Sequence, residues 1–512
     1  LRNSDNLYAN NYGKKPAIRR LEPNGEQAYS FEQLQETAQK LQCFFATQNT
    51  RTVVSVLTNG YEWDCIDFAC YQSAITHVSL HPLTETGLLE KVVTETNPSV
   101  IFIGHKFNRS KLEVIVKQLG CTAQIIALYN HAAIQSFYSY LQQFNTQSVG
   151  TGISRPDTFL QTIIYTSGST GIAKGVLLTN KNLLAAQAIF SKAKFFDGCQ
   201  TALSLLPIAL SGERKLNYAY KARGITICYP SAQQTIKESL LYFKPDIVAV
   251  VPYLLEKIKS AIEKTEAGTF GFLKAIVCGG ASIPISTHHF FQKNNIPLYE
   301  LYGLTETASV LSFNDVEQNK RGTVGKVPAE MMVSIAPDGE ILCKGANMSS
   351  GYLNNETQTK GLFDDRGWLC TGDLGAIDKD GFLTITGRKK NLIKTAKGIY
   401  VLPELQEQKL QTHPLVEYAF VTATDKNNLQ AILLLKPASI GKNEETLLIQ
   451  WVADCNRQFT ENEKIDAVYL LTNKKWKSAG IQALSLKLDR NKLAALITDK
   501  ESIALYSPQY YD

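Results

Sequence analysis

The alternation of nearly continuous apolar runs with helical stretches constrains the fold of this chain more than any other feature of its sequence. After a strand-like segment at Tyr29, a helical pattern covers Phe31–Thr47, an apolar run covers 52–58, a second helical pattern covers 61–73, and a short strand is centred on Val78. The same rhythm returns with apolar runs at 99–103, 123–128, 162–165, 225–229, 247–251 and 273–277. Strands that alternate with helices are joined by crossovers and lie parallel, and runs this apolar are expected where helices cover both faces of a sheet. Past Arg321 the texture changes. Pro337-Asp338-Gly339, Asp365-Arg366-Gly367 and Asp378-Lys379-Asp380-Gly381 divide the chain into short strands, which predicts a small antiparallel or barrel-like subdomain. Beyond Lys390, a helix over 403–412 and strands over 416–422 and 430–435 predict a further α+β unit. The expected fold is α/β. It has a large N-terminal domain over 1–388, with parallel sheets flanked by helices over about 1–320 and a β-barrel-like subdomain over about 321–388, and then a smaller α+β domain over 389–512.

With 512 residues the chain exceeds one ordinary core and has the length of roughly two to four domains. Its 44% hydrophobic and 20% charged residues exclude a disordered or collagen-like chain. The excess of 53 Lys and Arg over 47 Asp and Glu gives a formal charge of +6, which is mild and scattered, so nucleic acid is not an expected partner. Ten cysteines contain no Cys-x-x-Cys pair, and seven histidines form no ligand cluster; both facts point to reduced structural thiols and no protein-held zinc. His288 and His289 are adjacent and diverge on either a strand or a helix. No apolar run approaches the roughly 18 to 20 residues of a membrane span, and Leu1 to Tyr8 hold no signal-peptide core. A cytoplasmic protein with at most peripheral membrane contact is expected.

Four segments carry chemistry. The sharpest is Tyr165-Thr166-Ser167-Gly168-Ser169-Thr170-Gly171-Ile172-Ala173-Lys174-Gly175, read as a turn between an apolar strand and a helical stretch. Its glycines let the backbone approach an anion, successive N–H groups form a concave donor set, the hydroxyls add donors, and Lys174 adds a point charge. It is not a Walker A loop, because Lys174 stands three residues past Gly171 and is followed by Gly175. The second segment is Tyr299-Glu300-Leu301-Tyr302-Gly303-Leu304-Thr305-Glu306-Thr307, preceded by Gly279-Gly280-Ala281. An aromatic face beside a glycine suits stacking on adenine, and a carboxylate flanked by hydroxyls suits Mg2+. The third, Cys370-Thr371-Gly372-Asp373-Leu374-Gly375, offers Asp373 to a pair of ribose hydroxyls, and the fourth is the basic run Thr386-Gly387-Arg388-Lys389-Lys390-Asn391-Leu392-Ile393-Lys394. Taken singly, these also read as a Gly/Ser surface loop, a turn capped by Thr305, an ordinary Thr-Gly-Asp turn and a solvated strand edge.

In this order and over nearly the entire chain, the segments resemble the adenylate-forming superfamily of acyl-CoA synthetases, adenylation domains and luciferases. The stretch 321–403, with Leu206-Pro207 and Glu213-Arg214, looks most like bacterial long-chain fatty-acid–CoA ligases, in which the latter pattern lies beside the acyl tunnel. The resemblance implies a loop Thr166, Ser167, Gly168, Ser169, Thr170, Gly171 to Lys174 around the β- and γ-phosphates of ATP. It implies Tyr302 and Gly303 against adenine, with Gly280 and Ala281 lining that pocket. Thr305 meets the α-phosphate, Glu306 holds Mg2+, and Asp373 and Arg388 bind the ribose hydroxyls. Lys390 falls at the hinge of a mobile C-terminal domain, Lys394 at a further AMP contact, and Lys397 and Gly398 in the segment that meets coenzyme A. Leu484-Ser485-Leu486-Lys487-Leu488-Asp489-Arg490 resembles the catalytic-lysine motif and gives that role to Lys487. The implied activity is ATP- and Mg2+-dependent formation of an acyl-adenylate from a carboxylic acid of the fatty-acid type, with release of pyrophosphate, followed by thioester formation with CoA.

The sequence departs from the pattern at four places. Ala173 replaces the usual Pro before the loop lysine, Leu210 stands where a His is expected, Ser211-Gly212 replace bulkier residues next to it, and Asn180 replaces another His and is expected to cap a helix. Leu210 and Ser211-Gly212 together predict an acyl pocket of unusual shape and set long-chain specificity in question. Two other readings stay open: acyl transfer to the phosphopantetheine of an acyl carrier protein, and a nucleotide-binding homologue that has lost catalysis, which Leu210 favours.

Overall fold

Successive valines and isoleucines leave a strand no polar face, so helices must cover it on both sides. Val100–Gly104 is such a strand, buried at every residue, and Thr52–Val56 beside it is nearly so. They lie inside a six-stranded sheet ordered Gln124–Leu128, Val100–Gly104, Thr52–Val56, Thr76–Leu80, Leu160–Thr166, Lys174–Thr179, parallel except for the last pair. A second sheet runs Ser312–Phe313, Leu298–Tyr302, Ala275–Gly279, Ile247–Val250, Thr201–Leu203, Thr226–Tyr229, Pro16–Glu22, Gly25–Ser30 and is parallel except at its two edges. The computed structural model describes residues 12–22, 25–104, 109–128, 131–144, 156–166, 173–395, 398–423, 428–436, 441–471, 490, 493 and 503–506.

The region of short strands forms a four-stranded antiparallel sheet, Met331–Ile335, Glu340–Gly345, Leu369–Ile377 and Leu383–Arg388, in that order. It is an open half-barrel. Farther on, Val416–Ala423, Leu429–Leu435, Ala467–Leu471 and Ile503–Tyr506 form a mixed sheet, with the helices Pro403–Leu410 and Lys442–Asn456 beside it in sequence. All ten cysteines are free thiols. No helix among the described residues is long and apolar enough to cross a membrane.

One local expectation is corrected. The hydroxyl-rich segment does not run from a strand straight into a helix: Lys174–Thr179 is itself a strand, antiparallel to Leu160–Thr166, so the segment joins the arms of a hairpin. Val176 and Leu178 are buried on one face of this second arm, the period-two pattern of a strand. The helix Asn180–Phe190 starts only afterwards, and its cap is Thr179, whose hydroxyl accepts from Asn182 N at 3.3 Å; Asn180 is the first helical residue and not the cap.

Two helices, Tyr61–Gln72 from the first sheet and Ser211–Ala222 from the second, meet along a buried polar seam. Asp64 and Asp67 are one turn apart on the first helix; Arg214, Tyr218 and Lys221 follow at helical spacing on the second. Lys221 Nζ donates to Asp64 Oδ1 at 2.5 Å, and both side chains are fully buried. Arg214 pairs with Asp67 and also donates to Thr162 Oγ1 at 2.6 Å, while Tyr218 Oη donates to Asp67 Oδ2 at 2.6 Å. Burial pulls the His77 pKa down, so the ring is neutral: Nδ1 faces Asp67 Oδ1 at 2.6 Å and Nε2 faces Ser55 Oγ at 2.8 Å. This Ser-His-Asp arrangement is sealed, with Ser55 and His77 at 0% exposure, and its carboxylate already serves Arg214.

Removing one partner of a buried pair strands the other charge. Arg214→Met is therefore expected to cost about 3 to 5 kcal/mol in chemical denaturation, and the double change Asp67→Asn with Arg214→Met is expected to recover part of that loss. Glu213 gives a pH signature. Burial pushes its pKa up to about 7, although Ser204 Oγ (2.5 Å) and Asn217 Nδ2 (3.0 Å) both donate to Oε1. A folded-state value raised above the unfolded one contributes stability that is complete below the unfolded value near 4.5 and lost as pH rises through about 7. Thermal unfolding of the wild type should thus fall relative to Glu213→Gln between roughly pH 5 and pH 8.

Candidate active site

The hairpin of Leu160–Thr166 and Lys174–Thr179 puts Thr166 and Lys174 directly opposite each other at its open end. A neighbouring segment docks on the second arm: Leu353 N donates to Gly175 O at 2.8 Å, and Leu177 N donates to Gly351 O at 3.0 Å. These bonds carry Tyr352 under the hairpin, with Lys174 Nζ 5.0 Å from the centre of its ring. Tyr352 Oη then donates to Glu306 Oε1 at 2.8 Å, and Ser349 N donates to Glu306 O at 2.7 Å. Lys174 and Glu306 thus sit on either side of one tyrosine.

Glu306 belongs to the single turn Thr305–Thr307, which follows the strand Leu298–Tyr302. Gly303 lies between them because the chain folds back on itself there: a Cβ at this position would stand 2.4 Å from the Ser309 carbonyl carbon and 2.6 Å from Val310 N. Thr305 Oγ1 lies 3.0 Å from Ser211 Oγ at the start of the Ser211–Ala222 helix. Leu210 occupies the N-cap of that helix and offers no side-chain cap.

On the half-barrel sheet, Asp373 and Arg388 are cross-strand partners, and Arg388 Nε donates to Asp373 Oδ1 at 2.6 Å. Tyr302 Oη reaches across from the large sheet and donates to Asp373 Oδ2 at 2.7 Å. Burial, and then the Asp373 charge, push the Tyr302 pKa well up, so its hydroxyl stays a donor. For Arg388, burial works against the charge, but Asp373, Tyr302 and Glu306 outweigh it and raise the pKa. Lys390 is lowered, by burial first and then by Arg388, with Lys174 acting in the same direction. These couplings put Lys174, Glu306, Asp373, Arg388 and Lys390 in one electrostatic neighbourhood.

Gly280, in the left-handed region at φ +92°, and Ala281 form an exposed turn after the strand Ala275–Gly279. Lys394 is exposed on a two-strand hairpin with Tyr400–Val401, and Gly398, φ +79°, is part of its turn. Ser167, Gly168, Ser169, Thr170, Gly171, Lys397 and Lys487 lie outside the described residues. Sequence reasoning missed Tyr352: a lone Tyr in Ser-Gly-Tyr-Leu carries no signal until long-range pairing brings it to Lys174. Ser211, expected beside the acyl pocket, was not expected to meet Thr305. His288, within the helix Ile285–Lys293, is buried with Nε2 3.0 Å from Glu300 Oε1, while His289 is exposed. No cluster of three or more metal-ligating side chains occurs among the described residues.

Open parallel sheets present ligand sites at the carboxyl ends of their strands. Thr166 and Tyr302 end such strands and Gly280 follows one, Tyr302 meets a half-barrel sheet that contributes an Asp–Arg pair, and this architecture is that of the adenylate-forming enzymes. The chain belongs to the AMP-binding enzyme family, whose profile matches residues 7–353. It is 29% identical over 439 residues to the long-chain-fatty-acid–CoA ligase FadD15 of Mycobacterium tuberculosis, covering 75% of this chain and 73% of the relative. It is 32% identical over 392 residues to the peroxisomal OPC-8:0-CoA ligase 1 of Arabidopsis thaliana, covering 71% and 69%. Its fold matches that of the O-succinylbenzoate coenzyme A synthetase MenE of Bacillus subtilis in complex with AMP, with a TM-score of 0.77 at 21% identity over 99% of both chains.

The backbone contact at Gly303 yields a direct check. Gly303→Ala must push apart two backbone segments, so it is expected to destabilise the protein by about 3 kcal/mol or more, read as a lower midpoint in denaturant unfolding.

Proposed function

We propose that this chain activates a carboxylic acid with ATP, releasing pyrophosphate, and passes the acyl group from the resulting acyl-adenylate to the thiol of coenzyme A. A fatty acid is the substrate class that the relatives' names favour. The observation that carries the reading is the gathering of Lys174, Glu306, Asp373 and Arg388 around Tyr302 and Tyr352, from segments far apart in sequence.

A carboxylate is a poor electrophile, so its oxygen must first be joined to a leaving group. In the first step a carboxylate oxygen attacks the α-phosphorus of ATP; a P–O bond forms and the bond to the bridging oxygen of pyrophosphate breaks. The approach of an anion to a polyanion costs about 4 kcal/mol per unit charge at about 4 Å and an effective dielectric near 20. Lys174 and the hydroxyl-rich hairpin offset that cost at the β- and γ-phosphates, Thr305 does so at the α-phosphate, and Lys487 supplies a second ammonium. Tyr302, Gly303, Gly280 and Ala281 receive the adenine, and Asp373 and Arg388 receive the ribose. Glu306 fits Mg2+: it is an oxygen donor with one oxygen engaged by Tyr352 and the other without a hydrogen bond among the described residues, in a setting that a cation shared with phosphates and waters prefers. When bound, Mg2+ neutralises phosphate charge. In the second step the thiolate attacks the acyl carbon, a C–S bond forms and AMP leaves. A domain from 389 onward, turning at Lys390, would exchange Lys487 for the Lys397 and Gly398 segment, with Lys394 contacting AMP.

The test is pyrophosphate release from ATP and Mg2+ with a panel of carboxylic acids, followed by thioester analysis. Release is expected only when an acid is present, with thioester formed on CoA. Glu306→Gln and Asp373→Ala should each lower kcat/KM by about 100-fold. Absence of release with every acid overturns the proposal, whereas a thioester found on carrier-protein phosphopantetheine and not on CoA moves the acceptor alone.

A further inference from the structure

Lys215 is a charged residue of the helical seam that the seam does not pair. It is 2% exposed, yet among the described residues it forms no ion pair: Nζ donates to Leu183 O at 3.2 Å and lies 5.4 Å from the centre of the Tyr218 ring. An ammonium has three donors, and a single carbonyl occupies one of them. Arg214, next in sequence, repels it. Asp67, which attracts it, is already engaged by Arg214, His77 and Tyr218. Burial is the largest influence on its pKa and brings it down to about 7. Charged or neutral, its nitrogen keeps a donor that meets no further hydrogen-bond acceptor among the described residues, which in an apolar interior is costly.

Lys215 also lines a small cavity. Lys215, Arg214, Tyr218, Thr162, Ser211 and Ala308 line it together with aliphatic side chains, and it encloses about 10 Å3, room for about one water molecule or one oxygen substituent. Ser211 is common to this cavity and to the candidate site, because its hydroxyl lies 3.0 Å from Thr305 Oγ1. With Thr305 at the α-phosphate, as proposed above, the reacting carboxyl lies beside Ser211 and the acyl part of the acid begins near this cavity. A purely alkyl substituent entering there would leave the Lys215 donors unpaired, whereas an oxygen-bearing one would receive them.

We infer that Lys215 sets substrate specificity, favouring acids that carry an acceptor oxygen on the acyl part (a hydroxyl, a keto group or a second carboxylate) over the corresponding plain alkanoic acids. This rests on the adenylation reading above and refines its substrate class. A site that donates to a substrate oxygen discriminates strongly against an analogue lacking it, because the donor is then left buried and unpaired.

The experiment measures acid-dependent pyrophosphate release for wild type, Lys215→Met and Lys215→Gln. The substrates are a straight-chain alkanoic acid, its ω-hydroxy derivative, its keto derivative and the matching α,ω-dicarboxylic acid, at several chain lengths. Wild type should prefer at least one oxygenated acid by about 10-fold or more in kcat/KM. Lys215→Met should lower that preference by about 10-fold or more, with the change mainly in KM, and Lys215→Gln, which keeps a donor, should retain part of it. Circular dichroism and thermal unfolding establish that each variant is folded; should Lys215→Met fail to fold, loss of preference in Lys215→Gln relative to wild type decides the question in the same way. A wild type that prefers the plain acids, or an equal effect of both substitutions on all acids, overturns the inference and leaves adenylation standing. Absence of release with every acid overturns both.

Discussion

The pairing of Asp64 and Asp67 with Lys221 and Arg214 is the interaction on which the arrangement of this molecule depends. Each of the two large sheets is covered by its own crossover helices, and apolar packing between their helices is non-directional. Ion pairs with hydrogen bonds are directional: sliding the Ser211–Ala222 helix along the Tyr61–Gln72 helix by one turn would leave two buried carboxylates and two cations unmatched, at several kcal/mol for each ion. The seam therefore fixes not only that the sheets meet but in which register. Within the eight-stranded sheet itself, Ser211 at the start of the second helix meets Thr305 in the turn after Leu298–Tyr302.

The half-barrel sheet delivers its residues by a different constraint. Side chains alternate along a strand, so a one-residue slip between Leu369–Ile377 and Leu383–Arg388 would turn Arg388 away from Asp373. The register is irregular between Leu374 and Gly375, immediately beyond Asp373, and the backbone there is crowded: a Cβ on Gly375 would stand 2.3 Å from Thr384 O. A glycine at this point allows the two strands to approach closely beside the Asp–Arg pair. The Tyr302 hydroxyl then ties this sheet to the end of a strand in the eight-stranded sheet.

Much of this was legible in the sequence. Strands such as Val100–Gly104 and Ile247–Val250 announce themselves because burial on both faces demands unbroken apolar runs. The helices Phe31–Thr47 and Tyr61–Gln72 follow from spacing and turn residues at their ends. The Gly-rich hydroxyl segment, Tyr302, Glu306, Asp373 and Arg388 stood out through the order of their segments along the chain, which resembles that of the adenylate-forming superfamily. What stayed hidden was pairing. Asp64 and Asp67 read as ordinary polar positions on a helix, and only the fold shows that Arg214 and Lys221, more than a hundred residues on, neutralise them. Lys174–Thr179 is too short for its period to distinguish a strand from the approach to a helix, and the ladder to Leu160–Thr166 decides the matter.

The two ends of the cleft are prepared for different kinds of ligand group. At one end Asp373 already receives Tyr302 Oη and Arg388 Nε, yet a carboxylate has about four lone-pair sites, so about two remain for added hydroxyl donors. In the proposed function the ribose diol uses these remaining sites, and the pair holds the carboxylate still. At the other end Lys174 forms no ion pair among the described residues and rests over the Tyr352 ring, a contact worth about 0.5 to 2 kcal/mol. An anion can draw that ammonium away at small cost. A satisfied pair where a neutral group docks, and a loosely held cation where charge docks, is the polarity that a nucleotide with its phosphates at one end would require.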